Sequence, residues 1–421
     1  MRIRKMNNTP KGNRLHIALL GRTNVGKSSL LNLMLGQDIA ITSPVAGTTT
    51  DVVEKAMELL PLGPVLFLDT AGLDDISELS GARLEKTAKV FDRADVIILV
   101  TEADTWTDFE QAVLTEAQTR KIPMLVVINK IDLQKPSPEH LKFLQSKSGW
   151  ILTVSCADET KRQNYLEALK RQLLEVAPAD LGRNHSLIGD LLPPGGLAVL
   201  VVPIDLQAPK GRLILPQVQT IRDALDNDAM TLVVKERELA AALANLKTPP
   251  AIVVTDSQAI LKVTADVPQE IPVTTFSILF ARQKSDLVVM ARGAATIGHL
   301  QPGDQLLIAE ACSHHALEDD IGRVKIPRWL RQYVGGDLQI DTSVGRDYPD
   351  DLKKYKLIFH CGACMMNRRE MINRLRKANE AGVPVTNYGL AISFLQGVIQ
   401  RSLAPFPSAL LAFENEMKNK K

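Results

Sequence analysis

Aromatic residues are scarce in this chain, at 4%, with three tryptophans, five tyrosines and ten phenylalanines spread over 421 residues. That leaves little material for platforms on which nucleic-acid bases stack. An excess of one charge is also missing. Lys and Arg number 50 against 48 Asp and Glu, a net charge of +2, so no overall field draws the chain to nucleic acid or to an anionic membrane. No apolar run is long enough to span a bilayer. The basic, polar residues Met1 to Arg14 are not followed by the apolar stretch of a signal peptide, and the expected location is the cytoplasm. Four cysteines are too few for a disulfide framework in such a chain. Cys156 stands alone, whereas Cys312, Cys361 and Cys364 all fall in the last third, a clustering that points to a metal.

What is present is ordinary for a globular protein: 45% hydrophobic and 23% charged residues, in a length that predicts two or three domains. Gly21-Arg-Thr-Asn-Val-Gly26-Lys27-Ser28 fits G-x-x-x-x-G-K-[ST], the loop that wraps backbone N–H groups around nucleotide phosphates. A strand-like run, Leu15 to Leu20, precedes it, and apolar helical residues from Ser28 to Leu35 follow. That order turns a helix N-terminus toward the phosphates. Lys27 adds a point charge, and the Ser28 hydroxyl can ligate magnesium.

Further motifs follow, several closing an apolar run. Gly36 to Asp51 is polar and threonine-rich, as a mobile loop would be. The run Pro64 to Asp69 closes on Asp69-Thr70-Ala71-Gly72, where Asp69 can hold magnesium through water and Gly72 can approach the terminal phosphate. Asp95 to Val100 is another strand, and a helix is expected from Asp108 to Arg120. Pro123 to Ile128 leads into Asn129-Lys130-Ile131-Asp132, whose last carboxylate can accept both N–H groups of guanine's amide edge. Gly149 to Val154 runs into Ser155-Cys156-Ala157, with a helix over 161–176. Strands alternating with helices predict a parallel sheet with ligands at its carboxyl edge.

Residues 15–177 thus resemble a small GTPase of the translation-factor-related class, similar to the potassium-activated TrmE/Era-type GTPases of tRNA modification and ribosome assembly. The resemblance implies binding of GTP or GDP through Gly21, Asn24, Val25, Gly26, Lys27, Ser28, Ser29, Thr48, Thr49, Asp69, Gly72, Asn129, Lys130, Asp132, Ser155 and Cys156. It implies Mg2+ on Ser28, Thr49 and Asp69, and K+ held with the help of Asn24. Leu73 stands where Ras-type proteins carry a water-orienting glutamine, so hydrolysis should be slow without something added. Relatives carry a catalytic glutamate nearby. Here Ser80 falls at that place with Glu78 close to it, so Lys27, Thr49, Asn24 and Glu78 form the expected catalytic set. Cys156 stands where a small residue is all that is required.

A linker at 178–196 separates this domain (1–178) from a second α/β unit (183–283). The second unit has strand-like runs at 197–202, 230–234, 251–255 and 272–275, and helices at 215–225, 236–246 and 256–263. It lacks a phosphate loop, a His/Cys cluster or a reactive carboxylate pair, and reads as a structural or subunit-pairing module. The last part (284–421) holds Gln305 to Glu310, a run ending at Ala311-Cys312-Ser313-His314-His315. It also holds Tyr355 to Phe359, ending at His360-Cys361-Gly362-Ala363-Cys364 before a helix expected over 365–379. Strand ends of this kind converge on one edge of a parallel sheet, and the helix dipole would favour thiolates. Three thiolates with imidazoles suit either a structural zinc or an iron–sulfur cluster.

With a GTPase domain in front, the whole chain resembles the maturation GTPases of FeFe-hydrogenase, the HydF family. The likeness covers domain order, the GTPase motifs, Cys312-x-His314 and His360-Cys361-x-x-Cys364. It implies a 4Fe-4S cluster on Cys312, Cys361 and Cys364, with His314 and His360 as the motif histidines and His315 and Glu310 as alternative ligands. It also implies a carrier that takes a transient diiron precursor from two radical-SAM maturases to apo FeFe-hydrogenase, pairing as a homodimer or tetramer. Neither a membrane nor nucleic acid is an expected partner. The competing reading is a regulatory GTPase of tRNA modification or ribosome assembly with a zinc site, which would call for a basic, aromatic-rich accessory domain. The last part has scattered charges instead.

Overall fold

A computed structural model describes residues 9–34, 53–69, 88–178, 186–204, 211, 213–311, 320–345 and 348–419. The chain divides into two compact units, Met1–Asn184 and His185–Lys421.

The first unit is a six-stranded sheet in the order β2-β3-β1-β4-β5-β6. Its strands are β1 (Leu15–Leu20), β2 (Val53–Leu59), β3 (Gly63–Asp69), β4 (Val96–Glu102), β5 (Met124–Asn129) and β6 (Ile151–Thr153). β1, β4 and β5 are apolar almost throughout and buried because helices cover both faces. The helices include α1 (Lys27–Met34), α2 (Asp108–Thr119), α3 (Pro138–Lys147) and α4 (Arg162–Val176). Ile17, Leu19 and Val100 look into one hydrophobic cluster, Ala18, Leu20 and Leu99 into the other. Each leucine- or valine-sized side chain so buried contributes about 1.5–3 kcal/mol. The strands are parallel except at one edge, where β2 pairs antiparallel with β3 from Val53–Asp69 to Leu59–Gly63. The sheet is thus mostly parallel, with this hairpin at its edge. β2 lies at the sheet's edge and is only partly buried, so it mixes Lys55 and the exposed Glu58 with apolar residues, while Glu54 is buried in ion pairs with Lys11 and Arg93.

The second unit holds two four-stranded sheets, parallel throughout, in the orders β10-β9-β7-β8 and β12-β11-β13-β14. The first comprises β7 (Leu197–Val201), β8 (Met230–Val234), β9 (Ile252–Thr255) and β10 (Val273–Thr275). The second comprises β11 (Gln305–Glu310), β12 (Gln339–Val344), β13 (Leu357–His360) and β14 (Val385–Asn387). Between and around them lie α5 (Leu215–Asp226), α6 (Leu239–Ala244), α7 (Ile260–Asp266), α8 (Phe276–Lys284), α9 (Leu287–Ala295), α10 (Ile326–Val334), α11 (Arg368–Glu380), α12 (Tyr388–Leu395), α13 (Ile399–Leu403) and α14 (Pro407–Asn419). The two sheets share their packing. One cluster joins Leu200, Phe280 and Ala294 to Leu307, Ile358 and Leu390, and another joins Val199 and Val253 to Ile308 and Phe359.

The helix expected over 365–379 begins three residues later, at Arg368. Ala363 is left-handed (φ 51°), and Asn367 caps the helix by accepting the N–H of Glu370.

Candidate functional sites

In the first unit the motifs gather because β1, β3, β4, β5 and β6 run the same way. The phosphate loop follows β1, Asp69 ends β3, Asn129 ends β5, and Ser155 follows β6. Lys27 is buried and donates to the carbonyl oxygens of Gly21 (2.7 Å) and Arg22 (3.0 Å), which folds the loop around its ammonium. Asn24 takes a left-handed conformation (φ 65°), and its side chain, with those of Ser28 and Ser29, is exposed at the loop's surface. Val25 instead is anchored in the core. Asp69 is buried, with Lys55 Nζ 3.9 Å from its carboxylate.

Asn129 stitches two motifs together. Its Nδ2 donates to Val25 O (2.9 Å), and its Oδ1 accepts the N–H of Cys156 (3.2 Å). Asp132 is exposed, and its Oδ1 accepts the Ser155 hydroxyl at 2.5 Å. This hydrogen bond sets the carboxylate's direction. Lys130, left-handed at φ 60°, pairs with Glu102 at 2.6 Å. Cys156 packs on the core, and burial, then the Asp132 carboxylate, push its thiol up to about 11 against the opposing pull of Arg162. It stays protonated at neutral pH and serves by its size and its N–H.

Gly26 cannot be replaced without cost. At φ 96°, a Cβ there would lie 2.1 Å from Asn129 Nδ2, the atom that holds Val25. Gly26→Ala is expected to weaken nucleotide binding at least about ten-fold. Titration with a fluorescent GTP analogue checks this, and unchanged affinity would show that the loop yields.

Sequence reasoning missed the support beneath the loop. Arg22 Nε donates to Glu110 at 2.8 Å, and Glu110 is fully buried at the start of α2. Burial works against that carboxylate's charge, but bonds from Thr107 and Arg22 outweigh it and hold it below the usual range. The signal was available, since Thr107-x-x-Glu110 is a capping box. Thr48, Thr49, Gly72, Leu73, Glu78 and Ser80 lie outside the described residues.

In the second unit, β11 and β13 are parallel neighbours with Ala309 opposite His360, so both cysteine motifs begin at the same sheet edge. Cys361 and Cys364 are half-buried. The N–H of Ala311, the residue before Cys312 in the chain, donates to Cys361 Sγ at 3.1 Å. Cys312, His314 and His315 lie outside the described residues, and among the described residues no three His, Cys, Asp or Glu side chains gather as a metal site. The expected thiolate-favouring helix dipole does not prevail at Cys364. It falls off within one turn, α11 starts only at Arg368, and burial pushes the Cys364 thiol up against the opposing pull of Lys284.

His360 is fully buried. Its Nδ1 lies 3.1 Å from the Cys361 carbonyl oxygen and its Nε2 3.2 Å from an Arg374 nitrogen. Burial and the Arg374 guanidinium push it down to about 3, so the ring is neutral, donating from Nδ1 and accepting at Nε2. To ligate a metal it would have to give up one of these bonds. Glu310 is buried at the end of β11, gripped by Arg323 through two bonds (2.7 and 3.0 Å) and approached by the Tyr388 hydroxyl (3.4 Å).

The donor chemistry fits an iron–sulfur cluster. Two half-buried cysteines spaced C-x-x-C sit on a loop next to the stem of a third, with a backbone N–H already on one sulfur, and such hydrogen bonds tune clusters of this kind.

Three family models match the chain: a 50S ribosome-binding GTPase model over residues 16–130, the hydrogen maturase F dimerization domain over 187–285 and the hydrogen maturase F tetramerization domain over 288–405. The two maturase models together span just over half of the chain. The chain is similar to the tRNA modification GTPase MnmE of Dechloromonas aromatica (strain RCB), 32% identical over 164 residues, covering 39% of this chain and 35% of that protein. It is 45% identical over 121 residues to MnmE of Synechococcus sp. (strain JA-3-3Ab), covering 28% and 25%. The chain therefore spans about a quarter to a third of the length of these curated relatives. Among solved structures, Era of Aquifex aeolicus bound to GDP and aluminium fluoride is 18% identical with a TM-score of 0.31, covering 78% of this chain and 92% of that one. The G domain of the T. maritima FeoB iron transporter is 22% identical with a TM-score of 0.29, covering 39% and 98%.

Proposed function

This chain belongs to the hydrogen maturase F family, and on that premise we propose that it is a GTP-hydrolysing scaffold. It would carry a 4Fe-4S cluster and deliver the diiron precursor of the hydrogenase cofactor to apo FeFe-hydrogenase. The carrying observation is the hydrogen bond from Ala311 to Cys361 Sγ, which ties the approach to Cys312 to the His360–Cys364 loop. In this reading residues 1–178 bind and hydrolyse GTP, 183–283 pair subunits and 284–421 hold the cluster.

Lys27 and the loop amides would hold the phosphates, Ser28, Thr49 and Asp69 the Mg2+, and Asp132 the guanine. Cys312, Cys361 and Cys364 would hold the cluster. When bound, such a cluster supplies an iron position open to a different or exchangeable ligand. Ala311 supplies a sulfur with a hydrogen bond, and Arg374 keeps His360 neutral and oriented. The matched dimerization and tetramerization domains support a homo-oligomer. Pairing is also favoured by β8, which ends its sheet with Met230 and Val233 exposed. No helix among the described residues is long and apolar enough to cross a membrane.

Anaerobic reconstitution tests the reading. About four irons per chain in a reducible cluster support it, whereas stoichiometric zinc without iron uptake would overturn it in favour of a GTPase with a structural zinc site. Potassium is expected to accelerate hydrolysis markedly over sodium, through Asn24 on the exposed rim of the loop. Equal rates of phosphate release in the two salts would remove that role.

A further inference from the structure

Lys284 is the last residue of α8, and it is only 3% exposed. It lies in the stretch matched as a dimerization domain, yet its ammonium reaches the cysteine loop of the next module. It donates to the carbonyl oxygens of Ala363 (3.4 Å), Cys364 (3.3 Å) and Met366 (2.8 Å). An ammonium has three donors, and this short loop can take them all. The grip is returned. Arg368, in the first turn of α11, donates to the carbonyl oxygens of Gln283 (2.6 Å) and Ser285 (3.1 Å), on either side of Lys284. The Phe280 ring lies 5.7 Å from the ammonium.

A charge so buried is costly unless opposite charge lies near. Carbonyl dipoles answer part of that cost. Burial pulls the Lys284 ammonium down to about 8, against which Cys364, Cys361 and Glu370 act with negative charge when ionised, and the two cysteines are thiolates whenever they ligate a metal.

We propose that Lys284, at the end of α8, is a positioning residue of the cysteine motif, which clamps the 363–366 backbone and offsets the negative charge of a thiolate-bound cluster. The proposal rests on the cluster reading above and adds to it a residue that sets the cluster's potential.

The test compares the full-length, anaerobically reconstituted chain with Lys284→Met, Lys284→Gln and Lys284→Arg. Loss of a nearby positive charge disfavours the added electron. Lys284→Met and Lys284→Gln should therefore shift the reduction equilibrium about ten-fold toward the oxidised form, about 59 mV lower for a one-electron couple. Lys284→Arg should stay near wild type. Lys284→Met keeps the buried stem's shape and guards against a variant that fails to fold. A wild-type midpoint in Lys284→Met overturns the proposal. If the wild-type chain takes up no iron, the cluster reading falls on its own, and hydrogen exchange on iron-free protein decides the clamp. Exchange at amides 364–366 about ten-fold faster in Lys284→Met upholds it, and unchanged exchange overturns it.

Discussion

Cys364→Ala is expected to reduce iron incorporation from about four per chain to background, while GTP hydrolysis stays within about two-fold of wild type. The two sets of residues sit on separate scaffolds. Cys364 belongs to the unit His185–Lys421, whereas the phosphate loop and guanine motif belong to Met1–Asn184, each with its own hydrophobic clusters. Fold loss is not expected, since Cys364 is half-buried and only partly packed against its cluster. Iron analysis and phosphate release on the same preparation read both halves of the prediction. Retained iron would remove Cys364 from the ligand set, and collapse of hydrolysis would show that the two units do not act separately.

Asp132→Ala should weaken GTP binding about 10³-fold, because two charge-assisted hydrogen bonds to guanine are lost together. The Ser155 hydroxyl holds one carboxylate oxygen at 2.5 Å and so aims the group. Asp132→Asn separates recognition from folding. Its amide N–H₂ faces guanine's donors unfavourably but can donate to the carbonyl that xanthine carries at the same edge. Calorimetry should therefore show lost GTP affinity with XTP affinity gained in Asp132→Asn. Equal loss of both nucleotides would point to damage of the Ser155 loop instead.

Much of this was legible in the residues. β1 was read with its observed ends, and β5, β7, β11 and β13 within a residue or two, because central parallel strands are buried on both faces and leave near-continuous apolar runs. The glycine loop and Asn129–Asp132 stood out because a GTPase motif demands fixed residue types at fixed spacing. β2, β12 and β14 were not. Val53 to Leu59 and Gln339 to Val344 are partly buried edge strands that mix polar and apolar residues, and β14 has three residues.

The sequence by itself therefore determined the GTPase domain and the α/β class, both properties of local patterns. Only the tertiary structure decided what surrounds them. It turned His360 toward Arg374, placed Glu310 in the grip of Arg323, and started α11 too late for its dipole to govern Cys364. It also carried Lys284 onto carbonyls some eighty residues further along the chain. Such partners meet through packing between elements, and no periodicity or spacing within either segment encodes the meeting.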